Sequence, residues 1–386
     1  MVSSVDQAAD LLSRLVACPS VNPQRAAPSG PPLGEAAMAQ LLAALLAPWG
    51  ARVETRDIAP GRPNFLARFE GADTGRTLLL EAHADTVPVE GMTVAPFEPV
   101  VRDGRLYGRG SCDCKGPMAA MLLAIRTVLD ERGRPPATLW FVSTADEELG
   151  AAGARRLVAD GFRADAAVVA EPTDLDLVYA HKGAYRCRIV TRGRAAHSSD
   201  PSMGTSAIRG MARVVEAVEG PLAHELAGTV HPVLGPATVS VGVIRGGTQV
   251  NVVPDRCEIE VDRRTLPGED REAVVDQFRR HLDALKAGDT PVAYDLEPLE
   301  WYPPFEEDRR GPLMRLAGAA CRQVLGRAEF KGVPWCANVG VFKQAGMPCV
   351  LFGPGSVRQA HTADESIDLA DVVRAAQVYA EIIRRF

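Results

Sequence analysis

Several side chains able to hold a cation or move a proton sit just beyond apolar runs of this 386-residue chain. His83 and Asp85 lie in Glu-Ala-His-Ala-Asp-Thr-Val-Pro, directly after Leu78-Leu79-Leu80. If the strand continues, residues two apart share a side. Asp85 can then bond one ring nitrogen of His83 and leave the other for a metal. The competing reading is a histidine satisfied in a crevice. Asp113 lies in Gly108-Arg109-Gly110-Ser111-Cys112-Asp113-Cys114-Lys115-Gly116. This glycine-rich loop has neither Walker spacing nor GxGxxG, and Asp113 reads either as a ligand or as a helix N-cap. Glu147 and Glu148 follow Asp146 in Thr-Ala-Asp-Glu-Glu-Leu-Gly. One can ligate a metal while its neighbour serves as general base, or all three acids can favour a helix N-terminus. Glu171, in Ala-Glu-Pro-Thr, and His361, in Gln-Ala-His-Thr-Ala-Asp-Glu, each read alone as a surface acid and a satisfied histidine.

Taken together these residues say more. His83, Asp113, Glu148, Glu171 and His361 are nitrogen and oxygen donors, a mixture that suits zinc, cobalt or manganese rather than iron–sulfur or soft copper sites. Two histidines and three carboxylates can hold two divalent ions, with one carboxylate bridging. Two ions about 3.5–4 Å apart can lower the pKa of a shared water and polarise a carbonyl. Cys112 and Cys114 form a Cys-x-Cys, a weak metal signal, and no CxxC pair occurs among the eight cysteines.

Positioning these donors requires a sheet whose strands end together. Short, nearly continuous apolar runs at 77–82, 138–143, 166–170 and 349–352 predict strands buried on both faces. Helices are expected at 116–131, 149–159, 311–325 and 368–385, giving an α/β layout in which sites gather at the carboxyl ends of the strands. Ser4 and Gln7 predict a capping box on an amphipathic first helix, Asp103-Gly104 predicts a hairpin turn, and residues 23–34 read as a loop. The middle of the chain differs. Strands at 184–191, 237–244, 256–263 and 291–298 alternate with helices at 204–218 and 270–286, the β-α-β-β-α-β order of a ferredoxin-like sandwich. The expected organisation is therefore an α/β domain of residues 1–177 and 299–386 with an α+β domain inserted at 178–298.

Composition narrows the function. The net charge of −6 and the scattered basic residues lack the footprint of a nucleic-acid binder. No apolar run is long enough to cross a membrane, and Asp6 and Asp10 fall where a signal peptide would be apolar. Scattered cysteines point to a reducing, cytoplasmic compartment.

The motifs as a set, in this order and over nearly the whole chain, resemble those of the dinuclear-zinc amidohydrolases and exopeptidases, a family that includes acetylornithine deacetylase, succinyl-diaminopimelate desuccinylase, aminoacylase and glutamate carboxypeptidase. The Gly-Pro-Gly-Ser-x-x-Gln-Ala-His ending at His361 looks most like the acetylornithine deacetylase branch. The resemblance implies an aminopeptidase-like catalytic domain carrying a lid or dimerisation domain, and hydrolysis of the amide of an N-acyl amino acid by a homodimer. It implies that His83 and Glu171 bind one zinc, Glu148 and His361 the other, and Asp113 both. Asp85 would orient His83, and Glu147 would be the general base. Glu rather than Asp at position 171 resembles the deacylases and carboxypeptidases. Arg194-Ala-Ala-His197-Ser-Ser resembles a motif whose histidine reaches a neighbouring subunit's site and stabilises the oxyanion. Asn251, Arg264 and Gly355 match positions that contact substrate; Asn251 and Arg264 would grip its carboxylate, Arg264 as a bidentate partner, or else Arg264 would form a strand-end salt bridge. Two departures stand out. Cys114 replaces a usual Met, and Asn338 stands where related deacetylases carry an acid. If that acid meets a substrate amine, ornithine is disfavoured.

Rival activities on the same site are a dipeptidase and a carboxypeptidase. A catalytically inactive binding protein should have lost a ligand or the base, and none is lost. A serine hydrolase lacks its GxSxG, and His224-Glu225 lacks the second histidine of HExxH.

Overall fold

In the computed structural model, which describes residues 4–24, 33–287 and 291–386, contacts divide the chain into two units. One comprises Met1–Tyr179, Glu306–Lys331 and Ala337–Phe386; the other comprises Ala180–Phe305 and Gly332–Cys336. Residues 25–32 of the expected 23–34 loop lie outside the described residues.

The first unit is built on a sheet whose centre runs in the order Ala137–Thr144, Asp73–His83, Ala166–Ala170, Cys349–Phe352, all parallel. The apolar runs explain this centre. Leu78–Leu80, Ala166–Ala170 and Cys349–Phe352 are buried throughout, as strands covered on both faces must be. Helices Lys115–Arg132, Pro312–Leu325, Leu369–Arg385 and Val5–Val16 pack together as one group, while Ala36–Leu46, Ala152–Ala159 and Val339–Gln344 pack on the sheet, the last two also against each other. Val5–Val16 opens with the expected capping box, Ser4 and Gln7 each accepting the other's backbone N–H. Asp103 and Gly104, both at positive φ, turn the hairpin between Val100–Arg102 and Arg105–Tyr107.

The register sets the site. His83 pairs with Thr144, Glu81 with Val169, and Ala170 with Phe352. The strand ends that carry His83, the Asp146-Glu147-Glu148 run, Glu171 and the Gly353-Pro-Gly355 turn are therefore side by side. An antiparallel edge of Arg52–Ala59 and Arg62–Phe69 extends the sheet beyond Ala137–Thr144. Its alternation of Arg, Glu, Asp and Pro with apolar residues hid it from the search for continuous apolar runs.

The second unit holds a four-stranded antiparallel sheet in the order Thr238–Gly246, Arg256–Thr265, Gly183–Arg192, Tyr294–Tyr302, with helices Ala207–Ala217 and Arg271–Asp283. Along Arg256–Thr265 the residues Cys257, Ile259, Val261, Arg263 and Thr265 are buried. The alternate positions carry ion pairs between neighbouring strands: Arg186 bonds Asp262 and Glu300, and Arg188 bonds Glu260. The last strand begins at Tyr294, three residues later than the sequence suggests, with a register shift beside Pro298. Proline is tolerated at such an edge bulge.

Candidate metal centre

His83 ends its strand buried, and its Nδ1 lies 2.9 Å from the backbone carbonyl of Asp85. A ring nitrogen facing a carbonyl oxygen must carry a proton, so Nε2 is the nitrogen turned toward the other donors. The expected orienting contact through the Asp85 carboxylate takes second place: that group is 3.7 Å from Nδ1. The carboxylate instead accepts the N–H groups of Glu147 and Glu148, at 3.0 and 3.1 Å, and the Asn22 amide at 2.8 Å. Asp85 thereby ties the strand carrying His83 to the loop carrying both glutamates.

The His83 Nε2 meets Asp113 Oδ1 at 3.1 Å, and Asp113 Oδ2 meets His361 Nε2 at 3.3 Å. Two acceptors that close need a proton or a metal cation between them. Asp113 is not the helix cap: the N-cap of Lys115–Arg132 is Cys114, with no side-chain cap bond. Asp113 stands between the two histidines, one carboxylate oxygen to each. Its loop is held by Glu365, which accepts the N–H groups of Gly110, Cys112 and Asp113 and the Arg109 guanidinium.

Glu148 Oε2 lies 3.1 Å from His361 Nε2, while its Oε1 is buried without a hydrogen-bond partner. The following helix begins only at Ala152, so Glu147 and Glu148 are not acids of its first turn. Asp146 adopts positive φ and is anchored by Arg62, which also pairs with buried Glu35. His361 is another non-glycine residue at positive φ, a conformation retained where the surroundings demand it. Glu171 joins His83, Asp113 and Cys114 in one donor group, and Asp113, Glu148 and His361 form a second; within each, the donor atoms lie within 4.8 Å of one another. Gly353 and Gly355 are close approaches. A Cβ on Gly353 would lie 2.4 Å from the Glu171 carbonyl oxygen, and one on Gly355 would lie 2.7 Å from Cys112 Sγ.

The electrostatics call for cations. Burial pushes the Glu147 carboxyl well up, His83 pulls it back, and Glu148 and Asp113 push it further. Burial, then Asp113 and Glu147, likewise raise Glu171, and burial outweighs the His361 bond to bring Glu148 to about 7. Asp113 goes the other way: hydrogen bonds from His361 and His83 overcome burial and hold it low. Bonds to Asp113 and Glu148 raise His361 to about 10 despite burial. Crowded carboxyls, histidine ring nitrogens facing carboxylates and an orphaned Glu148 oxygen fit a pair of divalent ions.

The remaining candidates belong to the second unit. His197 is exposed on a two-residue strand, Ala196–His197, paired with Val252–Val253. Its Nδ1 accepts the Ser199 N–H at 3.1 Å, so Nε2 carries the ring proton. Asn251 lies beside it, its carbonyl accepting the Ser198 N–H. Arg264 bonds Asp262 at 2.8 Å and approaches Cys336 Sγ at 3.8 Å. In the first unit, Asn338 is 1% exposed, its amide donating to Glu81 and Thr144 at 2.9 Å each. It holds the underside of the strand ends and does not present its amide to open space. Sequence reasoning missed Asn22, Arg62 and Glu365. Only Glu365 had a legible signal, four residues beyond His361.

A model for Peptidase family M20/M25/M40 matches residues 79–385. The acetylornithine deacetylase of Proteus mirabilis (strain HI4320) is 33% identical over 387 residues, 98% of this chain and 96% of that protein. Among solved structures, an M20 family metallo-carboxypeptidase, Sso-CP2 from Sulfolobus solfataricus, superposes with a TM-score of 0.80 at 18% identity, covering 98% of both chains. The YXEP protein of Bacillus subtilis, a dinuclear metal binding peptidase from the M20 family, gives 0.72 at 19% identity over 98% of this chain and 97% of its own.

Proposed function

Because the chain belongs to peptidase family M20/M25/M40 and is a metal-dependent amidohydrolase, we propose that it hydrolyses the amide of an N-acyl amino acid, in the manner of an acetylornithine deacetylase. The observation that carries this is the Asp113 carboxylate, with one oxygen toward His83 and the other toward His361.

His83, Asp113 and Glu171 would hold one ion, and Asp113, Glu148 and His361 the other. Zinc suits these donors best, with cobalt or manganese as substitutes. When bound, such ions lower the pKa of the nucleophilic water and stabilise negative charge on the amide oxygen. Glu147 accepts a proton from the attacking water and delivers it to the leaving nitrogen as the carbon–nitrogen bond breaks. The products are a carboxylic acid and a free amino acid. Burial, which raises the Glu147 carboxyl, makes it a stronger base once ionised. Asp85 keeps Glu147 in place through its backbone N–H. His197 offers its Nε2–H to the carbonyl oxygen as charge develops there. Asn251 and Arg264 grip the substrate carboxylate, Arg264 as a two-pronged donor, and Gly355 is a further substrate contact.

The enzyme acts as a homodimer in which His197 serves the neighbouring subunit's site. The outer edge of Thr238–Gly246, with Ile244 60% exposed, supports pairing through that edge. None of the eight cysteines is joined in a disulfide, which supports a cytoplasmic setting. No helix of the described residues is long and apolar enough to cross a membrane.

The test is a panel of N-acetyl amino acids and dipeptides offered to zinc-loaded protein. The proposal expects kcat/KM for the best N-acetyl amino acid at least tenfold above that for any dipeptide. The reverse ranking would make the protein a dipeptidase.

A further inference from the structure

Cys114 follows the residue placed between the two histidines. It occupies the N-cap of Lys115–Arg132, yet its side chain caps nothing. It is fully buried. Its Sγ belongs to the first donor group, where sulfur, a ring nitrogen of His83 and carboxylate oxygens of Asp113 and Glu171 all lie within 4.8 Å of one another. The second group has nothing comparable: Asp113, Glu148 and His361 supply only oxygen and nitrogen. The other member of the Cys-x-Cys is turned away, Cys112 Sγ donating to the Ser356 carbonyl at 3.3 Å.

We propose that Cys114 is the fourth protein ligand of the first ion, a sulfur donor completing a His-Asp-Glu-Cys set. The inference rests on the metal centre argued above and makes its two halves chemically unequal. Zinc takes sulfur at about 2.3 Å and nitrogen or oxygen at about 2.0–2.2 Å, with four ligands in closed sites and five where a catalytic water adds to them. Four donors already gathered within 4.8 Å need only small side-chain rotations to close on one ion. The sulfur has a competing partner, the Ala170 carbonyl oxygen at 3.0 Å. Ligation replaces that S–H bond, and the thiol proton leaves to solvent as the sulfur binds. The cost is modest because a thiol is a weak donor. A soft ligand on one side favours zinc or cadmium over manganese or magnesium there. The all-nitrogen-and-oxygen half keeps no such preference and is the half that exchanges first.

The test is zinc-edge X-ray absorption on protein shown by metal analysis to hold two zinc ions per chain. The proposal expects a sulfur shell at about 2.3 Å, amounting to about one sulfur for every two zinc ions. The shell should vanish in Cys114→Ser and persist in Cys112→Ser, with zinc content unchanged. A nitrogen-and-oxygen shell alone in the two-zinc protein would overturn the proposal and leave the centre standing, with Cys114 a thiol bonded to Ala170. Sulfur that survives Cys114→Ser would also overturn it. Protein that takes up no zinc would remove the centre itself. If Cys114→Ser fails to fold, a nitrogen-and-oxygen shell alone in the wild-type spectrum still overturns the proposal, and Cys114→Ala replaces the variant.

Discussion

Replacing Glu147 by Gln keeps the size and shape of a buried side chain and removes only its ability to take a proton. The surroundings set the size of the effect. The neighbouring carboxyls are committed elsewhere. Asp85 accepts two backbone N–H groups and the Asn22 amide, Glu148 faces His361, and Glu171 sits in the donor group with His83. General acid–base help is worth about 10²–10⁴-fold. With no substitute base at hand, the loss should fall in the upper part of that range, about 10³–10⁴-fold in kcat, or about 4–5.5 kcal/mol. Metal content should hold, because Glu147 belongs to neither donor group. The assay is steady-state hydrolysis of the best N-acetyl amino acid by protein reconstituted with zinc, alongside metal analysis of the same sample. A variant within tenfold of wild type would refute the assignment of Glu147 as base. A variant that loses its metal would show that Glu147 is a ligand.

Other perturbations reach the remaining parts of the account. Arg62→Met leaves Glu35 and Asp146 without their buried partner; chemical denaturation should show a loss of about 3–5 kcal/mol, and a loss under 1 kcal/mol would mean the network is dispensable. His197→Ala should lower kcat by about 10²–10³-fold, as for a lost oxyanion donor, with zinc content unchanged; an equal loss of zinc would contradict its placement off the metal. Glu225 tests the second unit by pH. Bonds from Arg280 and Gln277, against a smaller effect of burial and with help from His281, hold its carboxyl down at about 2, against about 4.3 in an unfolded chain. Its contribution is complete above the unfolded value and is lost as pH falls toward the folded one. The gap in Tm between wild type and Glu225→Gln should therefore narrow between about pH 5.5 and 3; a gap that widens would reverse the sign.

The sheet centre was legible because Ala166–Ala170 and Cys349–Phe352 are unbroken apolar runs, and a strand buried on both faces permits little else. The edge hairpin was not, because Arg52–Ala59 is mostly exposed and its sequence alternates like any solvated segment. The start of Ala152–Ala159 was misplaced for a related reason: the acids before it form a positive-φ loop held by Arg62 and Asp85 rather than a helical first turn. The donors could be read from residue type and from their position after strands. What orients them could not. Arg62 acts on Asp146 across 84 residues of chain, and Glu365 works through backbone N–H groups, which leave no trace in side-chain patterns. Cys114 was visible as a departure at its position, but its nearness to His83 and Glu171 required the fold.

Anomalous X-ray diffraction from crystals grown with zinc tests the central claim most directly. The account predicts two zinc ions per chain, about 3.5–4 Å apart, with Asp113 bridging them, His83 and Glu171 on one, and Glu148 and His361 on the other. Zinc bound elsewhere, with those five side chains uncoordinated, would contradict it.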